Sequence, residues 1–160
     1  MQLLTELFKA KTGAPFEHIP IKSTAEAIQG LLNGQLTMAF IDPGPLMGPL
    51  KAGRVRALGV TGSKRAAVLP EVPTIAEAGV PGYEAITWNG IVAPAGMPRA
   101  MIARLNAELN RALAEPGLQQ KLAAIGAEPA GGTPEDFAKF IRSEYAKWGD
   151  VVRRSGAKMD

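Results

Sequence analysis

Between residues 16 and 60, short apolar runs trade places with amphipathic stretches, and few folds accommodate that order. Phe16 to Ile21, Leu36 to Ile41 and Val55 to Val60 read as three strands. The first is followed by Ser23-Thr24-Ala25-Glu26, the hydroxyl–carboxylate spacing of a reciprocal helix cap. Ala27, Ile28, Leu31 and Leu32 then recur at helical spacing until Asn33-Gly34 stops the turn. A second helix is expected around Leu46 to Ala52, closing at Gly53. Connections this short between strands of this length call for neighbouring parallel strands joined by right-handed crossovers. Strands apolar throughout fit a sheet covered on both faces. The expected class is therefore α/β, with one three-layer lobe built on parallel central strands. Ahead of it, Leu3, Leu4, Leu7 and Phe8 predict a helix that ends at Thr12-Gly13-Ala14-Pro15.

The pattern changes after Thr61. Residues 63–82 hold Ser63-Lys64-Arg65 and Leu69-Pro70-Glu71-Val72-Pro73, then Gly79-Val80-Pro81-Gly82, and a short helix is expected between them at Thr74 to Ala78. So many turn formers mark a connection between units. The sequence therefore divides into an α/β unit over 1–62, a connection over 63–82, and a last unit over 83–160. That last unit opens with an extended run, Tyr83 to Val92, and continues in helices. Ile102, Leu105, Leu109 and Leu113 mark one face of the first, and Pro116-Gly117 begins the second. Thr133-Pro134-Glu135-Asp136 starts the third, with Phe137, Ile141, Trp148 and Val152 as its expected buried stripe.

Charge and motif content narrow the function. In 160 residues, 18 Lys and Arg face 15 Asp and Glu, a formal +3 spread over short clusters. Nucleic-acid binding needs a continuous basic face, so it is not expected. No apolar run reaches the length of a membrane span. Glu6 and Lys9 stand where an export signal would be apolar, so the opening residues read as an amphipathic helix and no targeting segment is expected. There is no cysteine and a single histidine, His18, inside a predicted strand and without carboxylate or imidazole partners. A structural role suits it better than catalysis or metal binding. Neither a nucleophile elbow nor a phosphate loop is present. The reading is a binding protein rather than an enzyme, with no cofactor and no metal.

Candidate binding residues lie where strands hand over to helices. In open α/β sheets ligands gather at those junctions, and the free N–H groups of a first helical turn attract anions. Ser23 and Thr24 hold one junction, unless Ser23 and Glu26 merely cap each other. Asp42 holds the next, where its carboxylate either accepts from a ligand or caps the following helix. Trp88 and Asn89, with Gly90 permitting close approach, either line a cleft or belong to the core.

Taken together, several stretches resemble the solute-binding proteins of the tripartite tricarboxylate transporters, the Bug/TctC family. They are Thr61-Gly62-Ser63-Lys64-Arg65, Leu69 to Gly79, Val55 to Val60, Ala93-Pro94-Ala95-Gly96-Met97-Pro98, Leu105-Asn106-Ala107-Glu108-Leu109-Asn110 and Gly126 to Glu135. The resemblance implies a type II-like periplasmic-binding-protein architecture of two α/β lobes. This sequence would supply one lobe and an incomplete second lobe ending in helices. The ligand would be a small carboxylate or dicarboxylate held between lobes, at Ser23, Thr24 and Asp42 on one side and Trp88 and Asn89 on the other. Membrane transporter subunits would be the partners of an intact relative, in the periplasm. Self-association through the incomplete lobe, or repacking of the last part onto the first, is also expected. An effector-sensing domain of a regulator uses a similar architecture and stands as the alternative.

Overall fold

A computed structural model describes residues 2–156, and six helices organise them. The first, α1 (Gln2–Thr12), packs along the last, α6 (Pro134–Ser155). Between them come α2 (Thr24–Leu32), α3 (Pro43–Lys51), α4 (Arg99–Ala114) and α5 (Pro116–Ala124), with α4 and α5 forming a hairpin.

Helix starts follow their local chemistry. Ser23 caps α2 by accepting from the Glu26 N–H at 3.2 Å, and the Glu26 carboxylate returns to the Lys22 N–H at 3.2 Å. Thr133 caps α6 by accepting from the Asp136 N–H, ahead of Pro134 at the first helical position. The Asp136 carboxylate accepts from the Thr133 hydroxyl at 2.7 Å, which holds its pKa below the usual value. Gly156 ends α6 with φ 66°, a left-handed turn that costs glycine nothing. The short helix expected at Thr74 to Ala78 is instead a single turn, closed by the Ala78 N–H to the Thr74 carbonyl.

The core gathers Leu4 from α1, Ile75, Tyr83 and Ala85, with Leu7, Phe8, Phe40, Val80 and Trp148 packed around them. Tyr83 is 1% exposed, and its hydroxyl donates to the Leu4 carbonyl at 3.1 Å. Phe8 meets the Tyr83, Phe16 and Phe40 rings at centroid distances of 5.8, 5.8 and 6.2 Å. Burial pushes the Tyr83 phenol up to about 12.

Residues 63–82 are no loose connection, because they supply buried Leu69, Val72, Thr74 and Ile75. The Arg65 side chain donates to the Glu77 carboxylate at 3.0 Å and to the Pro70 carbonyl at 3.3 Å. The same Glu77 oxygen accepts from the Thr74 N–H at 2.8 Å, while the Thr74 hydroxyl accepts from the Glu77 N–H. The stretch that carries the family resemblance is thus a hydrogen-bonded clip.

Two sequence expectations meet the structure only in part. The runs predicted as parallel strands carry no strand ladder among the described residues. A single parallel bridge joins Val60 to Thr74, and the Ala85 N–H reaches the Thr61 carbonyl at 2.9 Å. A ladder needs a neighbour along its whole length, whereas these runs have backbone partners only at isolated positions among the described residues. The stripe of α6 is also rotated. Glu144 and Val151 are buried and Phe137, Phe140 and Trp148 partly so, while Ile141 and Val152 stay exposed. Spacings of three and four from Phe137 make Phe140, Glu144, Trp148 and Val151 the packed face. Glu144 sits there because it accepts from the Trp148 indole at 2.8 Å and pairs with Lys147.

Candidate functional site

The first turns of α2 and α3 meet the last turn of α5 at an open concavity of about 530 Å³, lined by Thr24, Asp42, Gly44, Pro45, Ala124 and Ile125. Proline placement fixes the α3 side. Pro43 and Pro45 carry no N–H, so Gly44 alone among the first three residues of α3 offers a donor. On α2, Ser23 already serves Glu26, which leaves the N–H groups of Thr24 and Ala25 and the Thr24 hydroxyl without partners among the described residues.

α5 closes the third side. Its chain reverses at Gly126, φ 76°, with the Ala127 N–H bonded to the Leu122 carbonyl at 2.9 Å. A side chain on Gly126 would lie 2.4 Å from the Pro43 ring, and one on Gly44 would lie 3.2 Å from the Ile125 carbonyl oxygen. The carbonyl end of α5 therefore abuts the N–H end of α3, an arrangement their dipoles favour.

Asp42 precedes α3 without capping it, since its side chain bonds none of that helix's N–H groups. Instead one carboxylate oxygen accepts from the Thr87 hydroxyl at 3.3 Å. That bond ties the α2–α3 region to the segment carrying Trp88 and Asn89. Trp88 is 41% exposed and stands edge-on to the Phe137 and Phe140 rings of α6, with centroids 5.8 and 5.4 Å away. Gly90 permits the approach of the Phe137 ring, whose nearest atom lies 2.2 Å from where a side chain would begin.

Of the five residues singled out from sequence, Thr24 and Asp42 share the concavity. Ser23 is committed to its cap, Trp88 to α6, and Asn89 is exposed with no side-chain hydrogen bond among the described residues. Thr87, Gly44 and Ile125 escaped the sequence reading. For Thr87 the only available signal was its place beside Trp88, and for Ile125 there was none, because its part depends on how α5 lands. His18 is exposed and belongs to no cluster. Among the described residues no group of three or more His, Cys, Asp or Glu is placed to hold a metal, and no helix is long and apolar enough to cross a membrane.

Comparison with known proteins bears on this geometry. The model of the tripartite tricarboxylate transporter family receptor matches residues 1–157. A UPF0065 protein encoded between tcbD and tcbE in a Pseudomonas species is 40% identical over 153 residues, covering 95% of this chain and 46% of that protein. BugT of Bordetella pertussis is 37% identical over 157 residues, 98% of this chain and 48% of its own length. The chain thus spans about half the length of these curated relatives. Among solved structures, an R. palustris protein with adipate superposes with a TM-score of 0.82 at 38% identity, covering 97% of this chain and 52% of that one. MatC of Rhodopseudomonas palustris with bound malate gives 0.73 at 31%, covering 94% and 52%. The periplasmic binding protein BugD gives 0.73 at 28%, covering 99% and 54%. The architecture is accordingly the α/β fold of periplasmic binding proteins, even though these residues carry almost no ladder of their own.

Proposed function

The chain belongs to the tripartite tricarboxylate transporter family of receptors, and from that premise we propose that it forms one wall of a cleft holding a small carboxylate or dicarboxylate. Its relatives are solute-binding receptors and not enzymes, so the chemistry required is recognition without bond-making. The observation that carries the reading is the meeting of Thr24 and Asp42 at one concavity with the starts of two helices.

A carboxylate there accepts from the Thr24 hydroxyl and N–H, from Ala25 N–H and from Gly44 N–H. Such donors favour an anion without a fixed cation, through direct bonds and the dipole of α2, since the carbonyl end of α5 already faces the start of α3. The Asp42 carboxylate repels a second bare charge and accepts from a ligand hydroxyl or ammonium. Within the class, this favours a hydroxy acid or amino acid over a plain dicarboxylate. Trp88 and Asn89 contribute the facing side, and Ser23 acts indirectly by holding the first turn of α2 open. We assign residues 1–62 to the ligand-bearing lobe, with parallel strands at its centre. Residues 63–82 connect it to 83–160, the returning portion of a second lobe whose remainder matches the rest of the relatives' length. Delivery of the ligand to membrane transporter subunits in the periplasm follows from the family.

Calorimetric titration with malate, adipate and related acids tests this, on the chain and on a fusion that adds the unmatched half of a relative. Binding to the fusion is expected, with malate ahead of adipate. Thr24→Val should weaken it about tenfold, the worth of one hydrogen bond to a charged group. Absence of heat from every acid in both forms would overturn the assignment.

A further inference from the structure

Asp42 departs from the usual conduct of a residue in its place. An aspartate directly before a helix normally turns its carboxylate onto the N–H groups two or three positions on. In α3 those positions are Gly44 and Pro45, and proline has no N–H, so Gly44 alone could be capped. The Asp42 side chain bonds no N–H of that helix. Its Oδ1 accepts instead from the Thr87 hydroxyl, 45 positions away, at 3.3 Å. Its other oxygen has no hydrogen-bond partner among the described residues.

Thr87 can hold that carboxylate because the chain on both sides of it is anchored. Two positions earlier, buried Ala85 donates its N–H to the Thr61 carbonyl at 2.9 Å. One position later, the Trp88 ring stands edge-on to Phe137 and Phe140. The bond to Thr87 acts on two groups of the concavity at once. With Oδ1 engaged there, the Gly44 N–H stays open to an anion, and the second Asp42 oxygen keeps its lone pairs for a donor on the ligand. Without Thr87, the local alternative for the carboxylate is the Gly44 cap. That one swing would cover the anion's donor and withdraw the ligand's acceptor.

We infer that Thr87 is a positioning residue for specificity. By holding Asp42 off the start of α3, it makes the concavity prefer an acid that carries a hydroxyl or ammonium group over a plain one. The inference rests on the reading of that concavity as a carboxylate site, and adds to it the residue that decides which way Asp42 acts. A hydroxyl is all the task requires, so serine serves in its place and valine, of the same shape, does not.

Two measurements test it. On the chain alone, amide hydrogen exchange at Gly44 reports where the Asp42 carboxylate lies. Thr87→Val should slow that amide about threefold or more as the cap forms. Neither Thr87→Ser nor the double variant Thr87→Val, Asp42→Ala should slow it. On the fusion used for the acid titrations, Thr87→Val should cut the preference for malate over adipate about tenfold, the worth of a hydrogen bond to a charged group. Thr87→Ser should keep that preference, and Thr87→Val should change nothing further once Asp42→Ala is in place. A merely structural part for Thr87 would weaken both acids alike. Unchanged Gly44 exchange, an unmoved preference, or an effect that persists beside Asp42→Ala would each overturn the inference. Should Thr24→Val weaken binding while Thr87→Val moves nothing, the site stands and the role of Thr87 falls; a fusion that binds no acid sinks both.

Discussion

Two segments of this chain, 55–61 and 83–94, share an apolar composition but not a fate. The first is stitched down: Val60 exchanges hydrogen bonds with Pro73 and Ile75, and Thr61 receives Ala85. Its partners lie within 25 positions and are braced by the Arg65–Glu77–Thr74 clip. The second begins in the core at Tyr83 and Ala85 and then runs out of backbone partners. Residual apolar character is therefore no guide to burial in this molecule. What separates the segments is whether a hydrogen-bonding neighbour exists close by in sequence.

The widest gap should appear on truncating the two aromatics of the second segment. Tyr83→Ala is expected to cost about 3–5 kcal/mol in a urea titration, the range for emptying a sealed aromatic site. Trp88→Ala should cost about 1–2 kcal/mol, since it forfeits partial burial and two edge-on ring contacts. Equal costs would erase the distinction. A smaller effect isolates the hydroxyl within the core: Tyr83→Phe should lose about 1 kcal/mol by removing the bond to the Leu4 carbonyl. The gentlest probe is pH. The Thr74 N–H first, and then the Arg65 guanidinium, hold the Glu77 carboxyl below its usual 4.5. With the folded value below the unfolded one, the unfolded state binds more protons between them. The clip's contribution is thus complete above about pH 4.5 and drains away as pH falls through the lower folded value. Glu77→Gln should flatten that part of the acid limb of the stability curve. Asp136, shifted the same way by Thr133, keeps its share.

Local instructions were the legible ones. Ser23 with Glu26, and Thr133 with Pro134, announced the starts of α2 and α6, because a cap is settled within four residues. The packed face of α6 was not legible, because Phe140 and Ile141 are equally apolar neighbours. Only the position of α1 and of Trp88 decides for Phe140 over Ile141, and Glu144 is buried through its own bonds to Trp148 and Lys147. The strands were legible as apolar runs but not in their pairing, which depends on chain far away. At the concavity, Thr24 and Asp42 could be named because strand-to-helix junctions are written in Ser-Thr and Asp-Pro. Ile125 reaches it, and Thr87 reaches Asp42, only through tertiary placement, and Ser23 proved to be spoken for by its own helix.

The bond from the Tyr83 phenol to the Leu4 carbonyl spans 79 positions. Closing a loop of that length costs about 4 kcal/mol in chain entropy. That cost falls due only when α1 seats, and every element from α2 to the clip lies inside the loop. Those inner pieces therefore have reason to consolidate first, leaving α1 as the late-docking lid on the core.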